Sequence, residues 1–523
     1  MKTKTFPLCN FVWGKPVNSC ETTSPEHFVF SSVSDDEVFR ELRNLKINKS
    51  TGLDNLPPGM LKDAATIITK PLAYIINSSL QSGSVPMEWK AAKIIPLFKS
   101  GSMVELDNYR PISILPALSK ILERIVYKQL LSHLENNGLL SSFQFGFRSK
   151  RSTELAVTYF SDIIRKKESE VDNGNILGAV FIDLSKAFGT VSHSCLLNKL
   201  PSYGIINEEL DWFTDYLFSR TQSVQFKGVL SDANPIFSGV PQGSMLGPLL
   251  FTIHFNDVHT PLQTTSIITY ANDKVIFTAA KDLESIQRRL SEVCHNLASW
   301  CLGKTECMIF GTVKRLNALN GRQLALTVNG TLINTTSSYK YLGVNLDSSV
   351  NLESHLDKMY ERASGRFNLL RRIRPLIDKS SAEKIYKAMI QPVFTYCGTL
   401  GLCWLRSRKS RIESIERRSQ KVIGGNDQVQ TVESLIKRQS CQLVFDCPQD
   451  NVCTRFKGYF TKIEHNINTR NNGCSVKLPK AKLEFGRRRF AFQGALVYNT
   501  LPRHLRNLNS RFLFKSNLKE SFQ

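Results

Sequence analysis

Acidic residues at two places, each next to an apolar run, are the side chains of this sequence best suited to bind a metal ion and catalyse a reaction. Asp183 stands near the end of the β-branched run Ile176–Leu184, and Asn272 and Asp273 follow a second apolar segment. Carboxylates from separate strands can converge on a hard cation such as Mg²⁺. Two such ions about 3.5–4 Å apart activate the attacking oxygen and stabilise the leaving oxygen in phosphoryl transfer. A single Asp at a strand end is also common as an ordinary turn residue, so the acids alone leave that alternative open.

The hydrophobic pattern predicts the elements that must position these acids. The run Ile176–Leu184 is typical of a buried central strand. Segments Ser266–Thr269 and Val275–Thr278 predict a hairpin, with Asn272 and Asp273 at its turn. Apolar residues at helical spacing between positions 281 and 300 then predict an amphipathic helix. The acids therefore lie at the tips of two separate predicted strands.

The charge of the chain indicates a polyanionic partner. Among 523 residues, 68 are Lys or Arg and 45 are Asp or Glu, which gives a net charge of +23. Such an excess repels itself unless a polyanion relieves it, so nucleic acid is the first partner to consider. The alternative is a basic protein that is merely soluble. Basic residues concentrate after position 360, with fifteen Lys and Arg against five Asp and Glu between 361 and 421.

Several protein classes are disfavoured by the sequence. The twelve Cys form no Cys-x-x-Cys pair, so we expect no structural zinc site. The most apolar stretch, around Met245–Phe255, is too short to span a bilayer, and Met1–Asn18 has no continuous apolar segment of the signal-peptide kind. We therefore expect reduced thiols, no membrane contact and an intracellular location, either nuclear or cytoplasmic.

A series of short motifs resembles the reverse transcriptases of non-LTR (LINE-type) retrotransposons. Their order and spacing make the resemblance specific, because each motif alone is modest. The C-terminal stretch from Phe485 to Lys515 is also similar to the tail of Jockey-type elements. In chain order, the matching segments are Asn108–Ser113 and Gln144–Arg148 for the fingers, Phe181–Phe188 for motif A, Gly239–Pro248 for motif B, Tyr270–Asp273 for motif C, Lys304–Glu306 for motif D and Tyr341–Val344 for motif E.

The resemblance implies an α+β fold of the right-hand polymerase type, with fingers, an antiparallel-sheet palm and a helical thumb, followed by a basic C-terminal extension. Its implied partners are an RNA template, a DNA primer and dNTPs, with the thumb tracking the nucleic-acid backbone. The implied domains are a connector remnant at 1–34, the fingers and N-terminal extension at 35–165, a reverse transcriptase domain at 79–346 with its palm core at 174–346, the thumb at 350–424 and a basic, nucleic-acid-contacting tail at 425–523.

The resemblance also implies a role for each matching residue. Phe188 would be the aromatic gate that excludes a ribose 2′ hydroxyl, although a core Phe at a bend is the alternative. Lys99 could equally be a solvated surface charge. The implied catalytic residues are Asp183, Asn272 and Asp273, with Asp183 and Asp273 as Mg²⁺ ligands; the nucleotide-binding residues are Lys99, Arg110, Phe188, Gln242, Gly243 and Lys304; the primer grip is Tyr341, Leu342 and Gly343.

The sequence departs from the family pattern at three places. Motif C has Asn272 where the family has Asp, which removes one anion from the two-metal site and weakens Mg²⁺ binding. Gly189 replaces an Asp that usually follows the gate aromatic. The predicted helix ends at Trp300, only four residues before Lys304, where the family has about ten more residues, so we expect a disturbed palm edge.

These departures leave three interpretations open. The first is an RNA-directed DNA polymerase of a LINE-type mobile element, impaired by Asn272. The second is a non-catalytic binder of RNA or DNA, and the third is an unstable product of a decayed gene copy. We also expect no endonuclease domain before residue 35 and a chain truncated at its start relative to an ancestral protein.

Overall fold

The computed structural model describes residues 26–169, 175–184, 187–259, 265–297, 304–328, 330–403, 406–424, 430–449, 451–463, 475–481 and 483–522. By their contacts the residues form two units. The first comprises Met1–Phe147 and Leu184–Pro261, and the second comprises Arg148–Asp183 and Leu262–Gln523.

The described elements mix helices and strands, which confirms the α+β class. No helix among the described residues is both long and apolar enough to cross a membrane. The α-helices are α1 Asp35–Arg43, α2 Pro58–Asp63, α3 Ala65–Ser82, α4 Ala117–Asn136, α5 Thr153–Ser169, α6 His193–Lys199, α7 Asn207–Leu217, α8 Gly247–His254, α9 Leu283–Asn296, α10 Val313–Ala318, α11 Glu353–Ile373, α12 Lys379–Ile385, α13 Gln391–Thr395, α14 Arg406–Ile423, α15 Val432–Asp446, α16 Glu484–Arg487, α17 Phe490–Asn499, α18 Arg503–Arg506 and α19 Arg511–Ser521. The strands are β1 Ala91–Phe98, β2 Tyr109–Ile114, β3 Ile176–Asp183, β4 Thr221–Phe226, β5 Val229–Leu230, β6 Asn234–Pro235, β7 Ser266–Tyr270, β8 Asp273–Ala280, β9 Lys304–Phe310, β10 Thr327–Val328, β11 Thr331–Leu332, β12 Asn334–Thr335, β13 Ser338–Tyr341 and β14 Val344–Asp347.

The first unit contains a mixed sheet in which β1 pairs antiparallel with β2 and parallel with β4. Strands β5 and β6 both pair antiparallel with β4. Helix α1 begins where the Ser34 side chain accepts a hydrogen bond from the Glu37 amide, which satisfies one of the free N–H groups of the first turn. Its Val38 and Leu42 are buried, so the short helix is held by its apolar face.

The second unit is built on a sheet with the strand order β12-β9-β3-β8-β7. All neighbouring strands are antiparallel except β12 and β9, which run parallel. The first seven residues of β3 are buried, as expected for a central strand covered on both faces. Both the predicted central strand and the predicted hairpin, formed by β7 and β8, are confirmed.

The helix after the hairpin is shorter than the sequence pattern predicts. Helix α9 ends at Asn296 and is closed by Leu297, and positions 298–303, including Trp300, lie outside the described residues. The expectation of a disturbed sheet edge is wrong for the strand that follows. Strand β9 starts at Lys304 and pairs with β3 over its whole length, from Asp183↔Lys304 to Leu177↔Phe310.

The segment between 350 and 424 is helical and amphipathic. Helices α11 to α14 share one core, to which Met359, Phe367, Ile390 and Ile415 belong. Four arginines of α11 are exposed: Arg362, Arg366, Arg371 and Arg372. Burial of the apolar residues of the helix therefore leaves positive charge toward solvent.

The tail is folded against α5 within the second unit. The Asp162 carboxylate accepts hydrogen bonds from the amides of Phe490 at 2.6 Å and Ala491 at 2.9 Å, at the first turn of α17. Arg165 donates to the Arg488 carbonyl at 3.0 Å. The two bonds to Asp162 satisfy amide groups at the N-terminus of α17, so the tail has a structural role in addition to any contact with nucleic acid.

Candidate active site

The carboxylates of Asp183 and Asp273 stand opposite each other at one end of the central sheet. Asp183 ends β3 and Asp273 begins β8, and the two residues are direct partners in the antiparallel register. Directly opposite residues share a sheet face, with Cβ atoms about 4.5–5.5 Å apart. Both side chains are partly exposed. The sequence prediction that these two acids meet at strand ends is therefore matched by the geometry.

The β7–β8 turn brings Asn272 onto Asp183. Ala271 and Asn272 form the two-residue loop, with Ala271 in the left-handed region at φ 53°. The Asn272 amide Nδ2 donates to Asp183 Oδ1 at 2.9 Å. An ionised carboxylate can only accept, so the amide must present its nitrogen rather than its oxygen. Asn272 thus binds the carboxylate directly.

The donor set at this end of the sheet does not fit two Mg²⁺ ions. In the part of the chain that the structure describes, no three His, Cys, Asp or Glu side chains are grouped closely enough to hold a metal. A two-metal site needs converging anionic oxygens, whereas position 272 directs an N–H toward Asp183. Asp183 and Asp273 are the carboxylates that remain.

An aromatic cluster packs next to the carboxylate pair on the same face of the sheet. Phe181, two residues before Asp183 on the same strand face, stacks on Tyr339 with ring centroids 4.0 Å apart. Burial, and then the negative charges of Asp273 and Asp183, raise the pKa of Tyr339 to about 12. Tyr339 was not among the predicted site residues, although it lies two positions before the motif E segment.

The predicted primer grip is the turn between β13 and β14. Leu342 and Gly343 both have positive φ, at 44° and 87°, and are at least partly exposed. The ring of Tyr341, by contrast, is buried against Phe160 and Phe181. Tyr341 therefore contributes its side chain to the core, and only Leu342 and Gly343 offer surface that a primer could contact.

The motif B loop packs against strand β2 in the first unit. The Ser113 amide donates to the Gln242 carbonyl at 2.8 Å. Gly243 has φ 139°, and a Cβ at this position would lie 2.3 Å from the Ser113 carbonyl oxygen. Glycine is therefore required here both for its backbone conformation and for the close approach of two backbones.

The gate candidate Phe188 is held by the same loop. Its carbonyl accepts a hydrogen bond from the Val240 amide at 2.8 Å. Its ring stacks on Phe251, with centroids 4.9 Å apart, and remains partly exposed. The neighbouring Gly189 is exposed, and a Cβ there would meet nothing within 4 Å. The backbone at position 189 would therefore accept the Asp that is usual in the family.

Lys99 and Arg110 lie near each other on the β1–β2 hairpin. The Lys99 amide donates to the Asn108 carbonyl at 2.8 Å, and Arg110 pairs with Leu97 in the strand register. Both residues are exposed, as triphosphate-binding side chains or plain surface charges would be. Lys304 opens β9 opposite Asp183, but its side chain lies outside what the structure describes.

A buried acid on α4, Glu123, binds a backbone amide of motif B, and no sequence pattern predicted this contact. Glu123 is almost fully buried and accepts from the Met245 amide and from the Tyr216 hydroxyl, each at 2.7 Å. Burial raises the pKa of its carboxyl group. The partners are 122 and 93 residues away along the chain, so helical periodicity could only mark position 123 as part of α4.

The chain resembles known proteins over much of its length. Residues 98–346 match the family model described as "Reverse transcriptase (RNA-dependent DNA polymerase)". The "RNA-directed DNA polymerase from mobile element jockey" of Drosophila melanogaster is 30% identical over 395 residues, which is 70% of this chain and 41% of the relative. The "Probable RNA-directed DNA polymerase from transposon BS" of the same species is 27% identical over 433 residues, covering 78% of this chain and 46% of the relative.

A third relative, matched over a shorter stretch, is named after a retrotransposable element. The "Retrovirus-related Pol polyprotein from type-1 retrotransposable element R2" of Popillia japonica is 30% identical over 227 residues, which is 43% of this chain and 31% of the relative. The chain spans less than half the length of these relatives. Together, residues 98–346 match the reverse transcriptase family, and the chain is similar to polymerases and polyproteins that are named after mobile and retrotransposable elements.

Proposed function

We propose that this chain is an RNA-directed DNA polymerase of a LINE-type mobile element, impaired at its catalytic site by Asn272. The observation that carries this proposal is the pair Asp183 and Asp273, in register at the end of the central sheet of a reverse transcriptase domain. Its substrates would be an RNA template, a DNA primer and dNTPs, and its location intracellular, nuclear or cytoplasmic. The exposed arginines of α11 support a backbone-tracking surface.

The architecture would be that of a right hand. The central sheet of the second unit would be the palm, and the helical segment 350–424 would be the thumb. The segment 35–165 would supply fingers, and the tail would add a basic surface. Lys99 and Arg110 would bind the triphosphate, and Lys304 would lie near the leaving group. Gln242 and Gly243 would contact the incoming nucleotide, with Phe188 as the sugar gate. Leu342 and Gly343 would contact the primer.

Mg²⁺ is the ion that these carboxylates would take, through Asp183 and Asp273. Restoring an acid at position 272 would replace the hydrogen bond to Asp183 with a third anionic oxygen donor. Loss of one such preorganised charge costs a phosphoryl-transfer site at least about 10²-fold in rate. We therefore attribute the impairment of this copy to a single atom pair, the amide nitrogen at position 272 and Oδ1 of Asp183.

The deciding experiment is primer extension on an RNA template with Mg²⁺, comparing the chain with its Asn272→Asp variant. We expect the variant to extend primers at least about 100-fold faster than the parent. Asn317→Asp adds the same charge at an exposed position on α10 and should leave the rate at the parent level. Mg²⁺ should also raise the melting temperature of Asn272→Asp more than that of the parent, which gives a readout independent of turnover.

Two results would count against the proposal. If Asn272→Asp and the parent are equally inactive, the carboxylate pair is not the centre of a working site. If Asn317→Asp accelerates extension as much as Asn272→Asp does, the gain comes from net charge rather than from a ligand.

A second candidate function is nucleic-acid binding without turnover. The Asn272–Asp183 hydrogen bond favours it, because this bond satisfies the Asp183 carboxylate without a metal. In that case the parent binds a template–primer duplex with a steep dependence on salt but extends nothing. Binding of the parent measured at two ionic strengths, beside the extension assay, separates the two functions.

A further inference from the structure

Tyr396 contacts the turn that we assign to the primer. It follows α13, and its hydroxyl donates to the Leu342 carbonyl at 2.6 Å. Its ring lies against Gly343, where an added Cβ would be 3.2 Å from the ring carbon Cε1. Leu342 has φ 44°, in the left-handed region that residues with a side chain disfavour. A contact from outside the turn therefore helps to keep its shape.

The segment that carries Tyr396 is itself fixed by the first turns of α5. The carboxylate of Glu154 accepts a hydrogen bond from the Thr399 amide at 3.2 Å. The hydroxyl oxygens of Thr158 and Thr399 are 2.7 Å apart, and both residues are buried. Because buried polar bonds such as that between Thr158 and Thr399 are costly to break, the segment that carries Tyr396 has a defined position.

Helix α5 also reaches the strand that carries Asp183. Phe160 packs edge-on against Phe181, with ring centroids 6.0 Å apart, and Phe181 lies two residues before Asp183. In a tightly packed interior, a shift of one side chain displaces its neighbours. A single helix therefore relates the Leu342–Gly343 turn, through Tyr396, to the catalytic carboxylate.

We propose that Tyr396 is a positioning residue that holds the Leu342–Gly343 turn and so sets where the primer 3′ end lies relative to Asp183. The inference rests on the proposed function, since it assumes that this turn contacts a primer. Burial raises the pKa of the Tyr396 hydroxyl to about 12, so the phenol keeps its proton and remains a donor to the Leu342 carbonyl at neutral pH. No sequence motif marks this residue.

The test is equilibrium binding of the full chain and its Tyr396→Phe variant to two RNA–DNA duplexes of equal length. One duplex has a recessed DNA 3′ end on a longer RNA template, and the other is blunt. We expect Tyr396→Phe to weaken binding of the recessed duplex about 3–10-fold, the effect of one lost hydrogen bond, and to leave blunt-duplex binding unchanged. Amide hydrogen exchange at residues 341–344 should become faster. Tyr127→Phe, at a partly buried tyrosine of α4, should change neither.

The outcomes of this test distinguish a failure of the positioning role from a failure of the proposed function. A parent that prefers the recessed duplex, with an unchanged Tyr396→Phe variant, overturns the positioning role alone. An equal loss of affinity for both duplexes overturns it as well, because the effect is then a general one on the fold. A parent with no preference for the recessed end overturns the primer-contacting function and this inference together.

Discussion

At the scale of single residues, the proposed impairment depends on Asn272, which directs an amide N–H toward Asp183 where an acid would direct a negatively charged oxygen. Asn272 has nearly the shape of Asp, so the β7–β8 turn keeps its register and the carboxylates of Asp183 and Asp273 stay opposed. What changes is that an N–H faces Asp183. The sequence predicted the lost charge, but it could not predict this hydrogen bond, because the bond depends on how the hairpin aligns with β3.

The close approach at Gly243 gives a residue-scale prediction. In Gly243→Ala the new Cβ would overlap the Ser113 carbonyl oxygen, and the backbone would be strained at φ 139°. The motif B loop must then move away from β2, and we expect dNTP affinity, measured by fluorescence titration with template–primer present, to fall at least about tenfold. Gly228→Ala carries a similar strain at φ 85° with open space around it, and should bind dNTP as the parent does. Equal affinity of the two variants would refute a role for this loop in nucleotide binding.

At the scale of elements, local patterns in the sequence predicted which strands carry the carboxylates. They did not predict where α9 ends or how β9 pairs. The apolar run of β3 and the two apolar segments that flank the β7–β8 turn were strong enough to place the carboxylates. The end of α9 was not predicted, because apolar spacing continues past Asn296 and does not report where the backbone bonds stop. The complete pairing of β9 with β3 was missed for the same reason, since the spacing to Lys304 was counted from the wrong helix end.

The packing of α9 on the central sheet gives an element-scale prediction. Gly178 lies in the middle of β3, and a Cβ there would be 2.3 Å from Cγ2 of the buried Ile286 on α9. We expect Gly178→Ala to destabilise the fold by about 1–3 kcal/mol, the usual effect of overpacking, and to lower the melting temperature. Gly365→Ala, inside α11 with nothing within 4 Å, should instead stabilise by about 0.4–1 kcal/mol. A melting temperature unchanged by Gly178→Ala would mean that α9 does not pack this closely.

At the scale of the molecule, the contacts that hold the second unit together join residues far apart in sequence. Glu154 and Thr399 are 245 residues apart, and Asp162 and Phe490 are 328 apart. Composition identified the tail only as basic, and on that basis it was expected to contact nucleic acid. Its attachment to α5 was beyond prediction, because a carboxylate that caps a distant helix has the same local pattern as any polar residue on an amphipathic helix.

The buried carboxylate of Asp162 makes the stability of this arrangement depend on pH. Burial raises its pKa to about 6, so between about pH 4 and 6 the folded chain holds a proton that the unfolded chain has released. Stability from this group is therefore greatest at low pH and falls as pH rises through that window, by as much as about 3 kcal/mol. We expect the midpoint of urea unfolding to fall between pH 4.5 and 7 more steeply in the parent than in Asp162→Asn, which keeps an acceptor for one amide of α17 but cannot titrate. Asp232→Asn removes an exposed carboxylate and should retain the parental slope. If Asp162→Asn also keeps that slope, the group that caps α17 is ionised throughout, and the tail is attached by a charge rather than by a neutral acid.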